Sequence, residues 1–137
     1  MTRIRSSSFT IDQANRTLPR VSPLVEEIMR AYREWHELLV ASEVPAAGRV
    51  VVADAPPFKV EGELQRLAEH VASCIAELEA VGVTFRGFEE GLVDFPSHIG
   101  GRLAYLCWRL GEPAVEHWHE ADSGFDGRMR IAPRAIA

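Results

Sequence analysis

Lysine is nearly missing from this chain. Lys59 is the single lysine among 15 Lys and Arg residues, so basic charge is carried almost wholly by Arg. Coding in a GC-rich genome produces that skew without any recognition role, and an anion site built on planar guanidinium groups is the alternative. An excess of positive charge is missing too, since 20 acidic residues against 15 basic ones leave a formal charge of -5. A sequence-independent nucleic-acid binder needs a basic face that displaces counterions from phosphates, so no nucleic-acid partner is expected. Cysteine is scarce: Cys74 and Cys107 show no CxxC or framework spacing. That excludes a disulfide scaffold and leads us to expect reduced thiols in a cytoplasm. Long apolar runs are absent, none approaching the roughly 18 residues of a membrane span. Arg3 and Arg5 are not followed by an apolar segment, so neither export nor insertion is expected. The templates GxGxxG, Walker loop, GxSxG and HExxH are all missing, and nucleotide-binding and triad chemistries lose support with them.

What is present suits one compact domain. The 137 residues, 47% of them hydrophobic, divide into a helical part over 10–80, with a loop at 43–57, and a β part over 83–131. Thr10-Ile11-Asp12-Gln13 has the form of a capping box and predicts a short helix to about Thr17, interrupted by Pro19. Ser22-Pro23 then gives a second start signal, so the main helix is expected to begin between Pro19 and Pro23. Its apolar positions Val21, Val25, Ile28, Tyr32, Trp35 and Leu39 step by four and three, a heptad seam. A second seam, Val60, Leu64, Leu67, Val71, Cys74, Leu78 and Val81, predicts a helix from Phe58 to Ala80 ended by Gly82. Matched seams imply an antiparallel, coiled-coil-like hairpin. Arg49-Val50-Val51-Val52, in the connection, reads as a short strand, a flap or a buried loop.

Beyond Gly82 the period changes from helix to strand. Val83–Arg86, Gly91–Phe95, Arg102–Leu110 and Val115–Glu120 are bounded by Gly or Pro and predict a small antiparallel meander, and the glycine-rich Ser123–Arg128 reads as a turn leading into Met129–Ile131. The fold class is therefore α+β.

Chemistry concentrates in Leu103 to Glu120, where two apolar runs flank a Gly-Glu-Pro turn. His117 and His119, spaced i and i+2 on a strand, point to one face. Together with Asp94 on the neighbouring strand and Glu120, they form a two-His, carboxylate set of the kind that takes Zn or Fe. The competing reading makes both His ordinary polar residues on a half-exposed strand. Asp94 within an apolar strand must find a partner, either a metal or a structural Arg, for which Arg102, Arg109 and Arg128 are candidates. Cys107 is a possible thiol ligand or simply a buried side chain. Two registers are open. With Glu112-Pro113 as the loop centre, Trp108 opposes His117 and Cys107 faces away; slid by one, Cys107 lies across from His117. His36, His70 and His98 lack partners at ligand spacing and read as solvated.

The runs ANRTLPRVSPLV at Ala14 to Val25, GLVDFP at Gly91 to Pro96, LCWRLGE at Leu106 to Glu112, WHE and GFDGR resemble an uncharacterised bacterial family, a domain of unknown function. The resemblance covers most of the chain outside the Glu43 to Pro57 loop. It implies a helical hairpin with a C-terminal β region, and its pattern picks out Asp94, Cys107, Trp108, Glu112, Trp118, His119 and Arg128. Three functions follow as expectations. One is a small metal- or cofactor-binding protein with a His and carboxylate site on the sheet, with catalysis neither required nor excluded. Another is an interaction module or homodimer formed through the hairpin. The third is a metal-free small-molecule binder that uses Trp108, Glu112, Trp118 and Arg128.

Overall fold

The computed structural model describes residues 8–42, 57–122 and 127–131. Helices α1 (Ile11–Ser42) and α2 (Pro57–Val81) precede strands β1 (Thr84–Gly87), β2 (Leu92–Ile99), β3 (Arg102–Arg109), β4 (His117–Glu120) and β5 (Met129–Arg130). The strands form one antiparallel sheet in chain order. The α+β class and the meander follow the sequence expectation. The loop at 43–56 with its Arg49–Val52 run, and most of the Gly-Phe-Asp-Gly turn, lie outside the described residues.

The short first helix is corrected. Helix α1 runs without interruption through Pro19 and Pro23. A proline inside a helix loses a backbone bond and crowds the carbonyl four residues back, at a cost of about 3 kcal/mol. Tertiary contacts on both sides of Pro19 hold the helix together: Ala14, Val21 and Val25 are all fully buried. Asn15 ties the first turns to the sheet end, accepting from Val115 N at 2.7 Å and donating to Val115 O at 3.4 Å. The capping box is complete. Gln13 N donates to Thr10 Oγ1 at 3.1 Å, and Thr10 N donates to Gln13 Oε1 at 2.9 Å.

Glu27 on α1 meets His70 on α2, while Arg20 and Leu24 share a cavity with Glu77 and Val81. The helices are therefore antiparallel. His70 is not solvated alone as expected, since its Nε2 lies 2.8 Å from Glu27 Oε2. His98 likewise has a partner in Ser8 Oγ, 3.0 Å from Nδ1. The end of α2 has the predicted glycine: Gly82 takes φ 101°, Val83 N reaches Leu78 O at 3.0 Å and Gly82 N reaches Glu79 O at 2.9 Å. That double bond pattern satisfies the last carbonyls of the helix before the chain enters β1.

Strand β2 outruns its sequence estimate and passes through Pro96 to Ile99. Its pairing with β1 ends at Asp94, so Pro96 lacks a β1 neighbour. Phe9 takes that edge instead, its N donating to Pro96 O at 2.7 Å and its carbonyl accepting from Ser97 Oγ at 2.6 Å. The missing proline N–H thus costs no β1 ladder bond. At the next turn Gly100 and Gly101 take φ 62° and 79°, positive values that a two-residue hairpin requires.

The alternation of strand side chains then separates two faces. Val93, Phe95, Leu106 and Trp108 join Val21, Val25, Ile28, Val71 and Leu78 in one apolar core. Asp94 and Cys107, their immediate neighbours in sequence, belong to the opposite face.

Candidate metal centre

Strand register decides what that second face contains. Asp94 pairs with Cys107, Cys107 with His117, and Tyr105 with His119. The slid register is the observed one. The turn after β3 is closed by Glu112, whose N donates to Arg109 O at 2.9 Å while its Oε1 accepts from Arg109 N at 2.9 Å. Trp108 donates its indole N–H to Glu112 O at 3.0 Å and stays in the core, paired with Val93. With Trp108 inward, Cys107 must face outward beside both imidazoles.

Asp94, Cys107 and His119 are brought together. Their ligand atoms all lie within 4.8 Å of one another, and the residues are only 3%, 1% and 3% exposed. His119 Nδ1 is 2.8 Å from the carbonyl oxygen of Glu120. A carbonyl can only accept, so Nδ1 carries the proton and Nε2 is aimed at Asp94 Oδ1, 3.0 Å away. Lone pair facing carboxylate is repulsive. The contact requires a cation between them, either a proton or a metal ion. Asp94 Oδ2 accepts from Arg86 Nε at 2.8 Å. The structural partner of Asp94 is therefore Arg86 on β1, not Arg102, Arg109 or Arg128. Its signal in the sequence lay in the β1–β2 hairpin, where Thr84 pairs with Asp94 and brings Arg86 within reach.

Burial pushes the Cys107 thiol up to about 12, with the Asp94 charge adding to the shift. At neutral pH the metal-free side chain is a thiol, which removes the motive for a free nucleophile. Metal ligation deprotonates such a group outright.

The other expected residues are placed around this group. His117 borders it across from Cys107; its buried Nδ1 makes no hydrogen bond among the described residues and lies 3.7 Å from Glu112 Oε2. Glu120 points its carboxylate away from the trio, 3.9 Å from Arg102, and contributes its backbone carbonyl instead. Arg128 grips Glu112 with both Nη atoms at 2.9 Å and donates to Cys107 O at 3.3 Å. Burial is the largest influence on Glu112 and would raise it, but the hydrogen bonds from Arg128 and from the Arg109 backbone, together with the Arg128 charge, outweigh it and hold the carboxyl below its ordinary range. Trp108 and Trp118 belong to the helix-facing side, Trp118 paired with Leu106 and packed on the core. Tyr105, which sequence reasoning passed over, stacks at a tilt on His119 with ring centroids 5.5 Å apart.

A helical hairpin on an antiparallel meander, with a buried Asp, Cys and His group on the sheet's outer face, defines an α+β protein with a candidate metal centre. The chain belongs to the uncharacterized conserved protein family DUF2203, whose model matches residues 7–131. No curated protein and no solved structure matches it. Among the described residues, no helix is long and apolar enough to cross a membrane.

Proposed function

We propose that this protein binds a divalent transition metal, zinc or iron, through Asp94, Cys107 and His119. The observation that carries the reading is the His119 contact: Nδ1 is committed to a carbonyl, and Nε2 meets a carboxylate oxygen at 3.0 Å beside a buried sulfur. Donor atoms around a tetrahedral zinc ion sit about 3–4 Å apart, so the group needs little rearrangement to close on one. The Glu120 carbonyl supplies the outer hydrogen bond that orients a metal-ligating imidazole. Mixed N, O and S donors suit zinc, or iron as the second choice.

Three protein donors leave a coordination position for water or substrate, the arrangement of a catalytic rather than a purely structural centre. Asp94, Cys107 and His119 hold the ion; Arg86 and the Arg128–Glu112 pair fix the carboxylate and the Cys107 backbone. Docking or dimerisation through the hairpin has less support, because Val21, Val25, Ile28, Val71, Cys74 and Leu78 are taken up in the chain's own core.

Elemental analysis of the untagged protein, with Co(II) reconstitution, tests the reading. Near-stoichiometric metal, a thiolate-to-cobalt charge-transfer band lost in Cys107→Ser, and loss of metal in His119→Ala with the fold intact by circular dichroism are expected. No binding after reconstitution, or full binding by His119→Ala, sinks it.

A further inference from the structure

Arg86 stands on the other oxygen of the carboxylate that meets His119. Its Nε donates to Asp94 Oδ2 at 2.8 Å, while Asp94 Oδ1 lies 3.0 Å from His119 Nε2. The Arg86 side chain is 47% exposed, and its guanidinium carbon lies 5.5 Å from the Tyr105 ring centroid. Tyr105 in turn contacts His119. Among the described residues, Nε is the one guanidinium nitrogen of Arg86 with an acceptor. The donors of its planar Nη edge therefore remain for a ligand.

Charge points to the kind of ligand. Resting on the metal reading above, the two charges of a divalent ion are matched by the Asp94 carboxylate and the Cys107 thiolate. His119 is neutral as a ligand, and Glu112 and Arg128 cancel each other at 2.9 Å. His117 is the remaining titratable group beside Cys107, and it faces Glu112. Arg86 is left as excess positive charge next to an open coordination position. Such an excess of positive charge favours an anion.

We infer that Arg86 and the open metal position together bind a small oxyanion, a carboxylate or phosphate group, one oxygen on the ion and another on the Nη edge. The guanidinium fork matches such groups in plane, and Asp94 holds it in orientation through Nε. The Tyr105 ring lies against both Arg86 and His119.

The test uses the full chain loaded with Co(II), titrated with acetate and separately with inorganic phosphate at constant ionic strength. A saturable change in the visible cobalt bands is expected, the tighter of the two anions identifying the preferred class. Arg86→Gln weakens that affinity roughly 10- to 100-fold, as loss of charge-assisted hydrogen bonds does. Arg86→Lys, which keeps the charge and loses the fork, falls between them and carries the comparison where Arg86→Gln does not load. Cobalt bands that ignore both anions overturn this inference alone, as does undiminished affinity in both Arg86 variants. Absence of cobalt bands in the unsubstituted protein overturns the metal reading and this inference with it.

Discussion

The two faces of the same sheet are built on opposite terms. On the helix-facing side, Val93, Phe95, Leu106 and Trp108 are buried against the hairpin and need no partner beyond good packing. On the other side, Asp94, Cys107 and His119 are buried to the same degree but carry two ionisable side chains and a thiol. Apolar burial stabilises by roughly 25 cal/mol per Å² removed from water. Buried polar groups cost free energy until every donor and acceptor is matched. One face thus makes the fold, and the other is tolerated by it; a group retained at a cost in stability is where function is expected.

The largest effect that separates the faces comes from the apolar side. Phe95→Ala should lower stability by about 3–5 kcal/mol, read from the denaturant midpoint at unchanged slope. A loss near zero there would remove the distinction between the two faces. The opposite sign is expected when the polar group is replaced together by apolar side chains, Asp94→Leu with Cys107→Val and His119→Leu. Arg86 is exposed enough to be solvated without Asp94, so that metal-free variant should be as stable as its parent, or more stable by about 1–4 kcal/mol, and bind no metal. Severe unfolding would mean that the trio is structural.

The clasp between the faces and the chain's last strand is the next most sensitive part. Arg128 and Glu112 have side chains only 11% and 14% exposed. Arg128→Ala strands Glu112 and releases the Cys107 carbonyl, and should cost about 1–3 kcal/mol and weaken metal binding. Arg128→Lys should recover only part of both, because a single ammonium cannot grip Glu112 in two places. At the start of α1, Thr10→Ala removes one half of the capping box and should cost about 1 kcal/mol with metal affinity unchanged.

The smallest effect is that of the exposed charges on the hairpin. Hydrogen bonds from Arg30, and then from His70, hold Glu27 down from an ordinary value of 4.5 to about 2. A folded-state value below the unfolded one means that the contribution is present above 4.5 and lost as pH falls from 4.5 toward 2. The carboxyl titration of Glu27 followed by NMR should have its midpoint near 2; a midpoint near 4.5 would show that solvent screens the pair completely.

Much of the architecture was legible because it rests on local rules. The helix seams, the capping box, Gly82 and the strand breaks are each set by neighbours within about one turn of the chain. The same rules failed at Pro19 and Pro23, where local propensity stops a helix and the buried Ala14, Val21 and Val25 carry it through. Asp94 and His119 stood out as chemistry-bearing residues in apolar strands. That they meet, with Cys107 as third donor and the Glu120 backbone in place of its side chain, depends on a register that sequence left open between two values.

The sequence by itself determined the two helix seams, an antiparallel meander after Gly82, and Asp94, Cys107 and His119 as residues able to do chemistry. Periodicity and turn chemistry are written along the chain, and they bring those features with them. Only the tertiary structure decided that Cys107 faces the imidazoles, that Arg86 partners Asp94, and that Trp108 is core. A one-residue shift in strand pairing exchanges the two faces of a strand, and the pairing is set by how Trp108 and Glu112 close the turn against the hairpin.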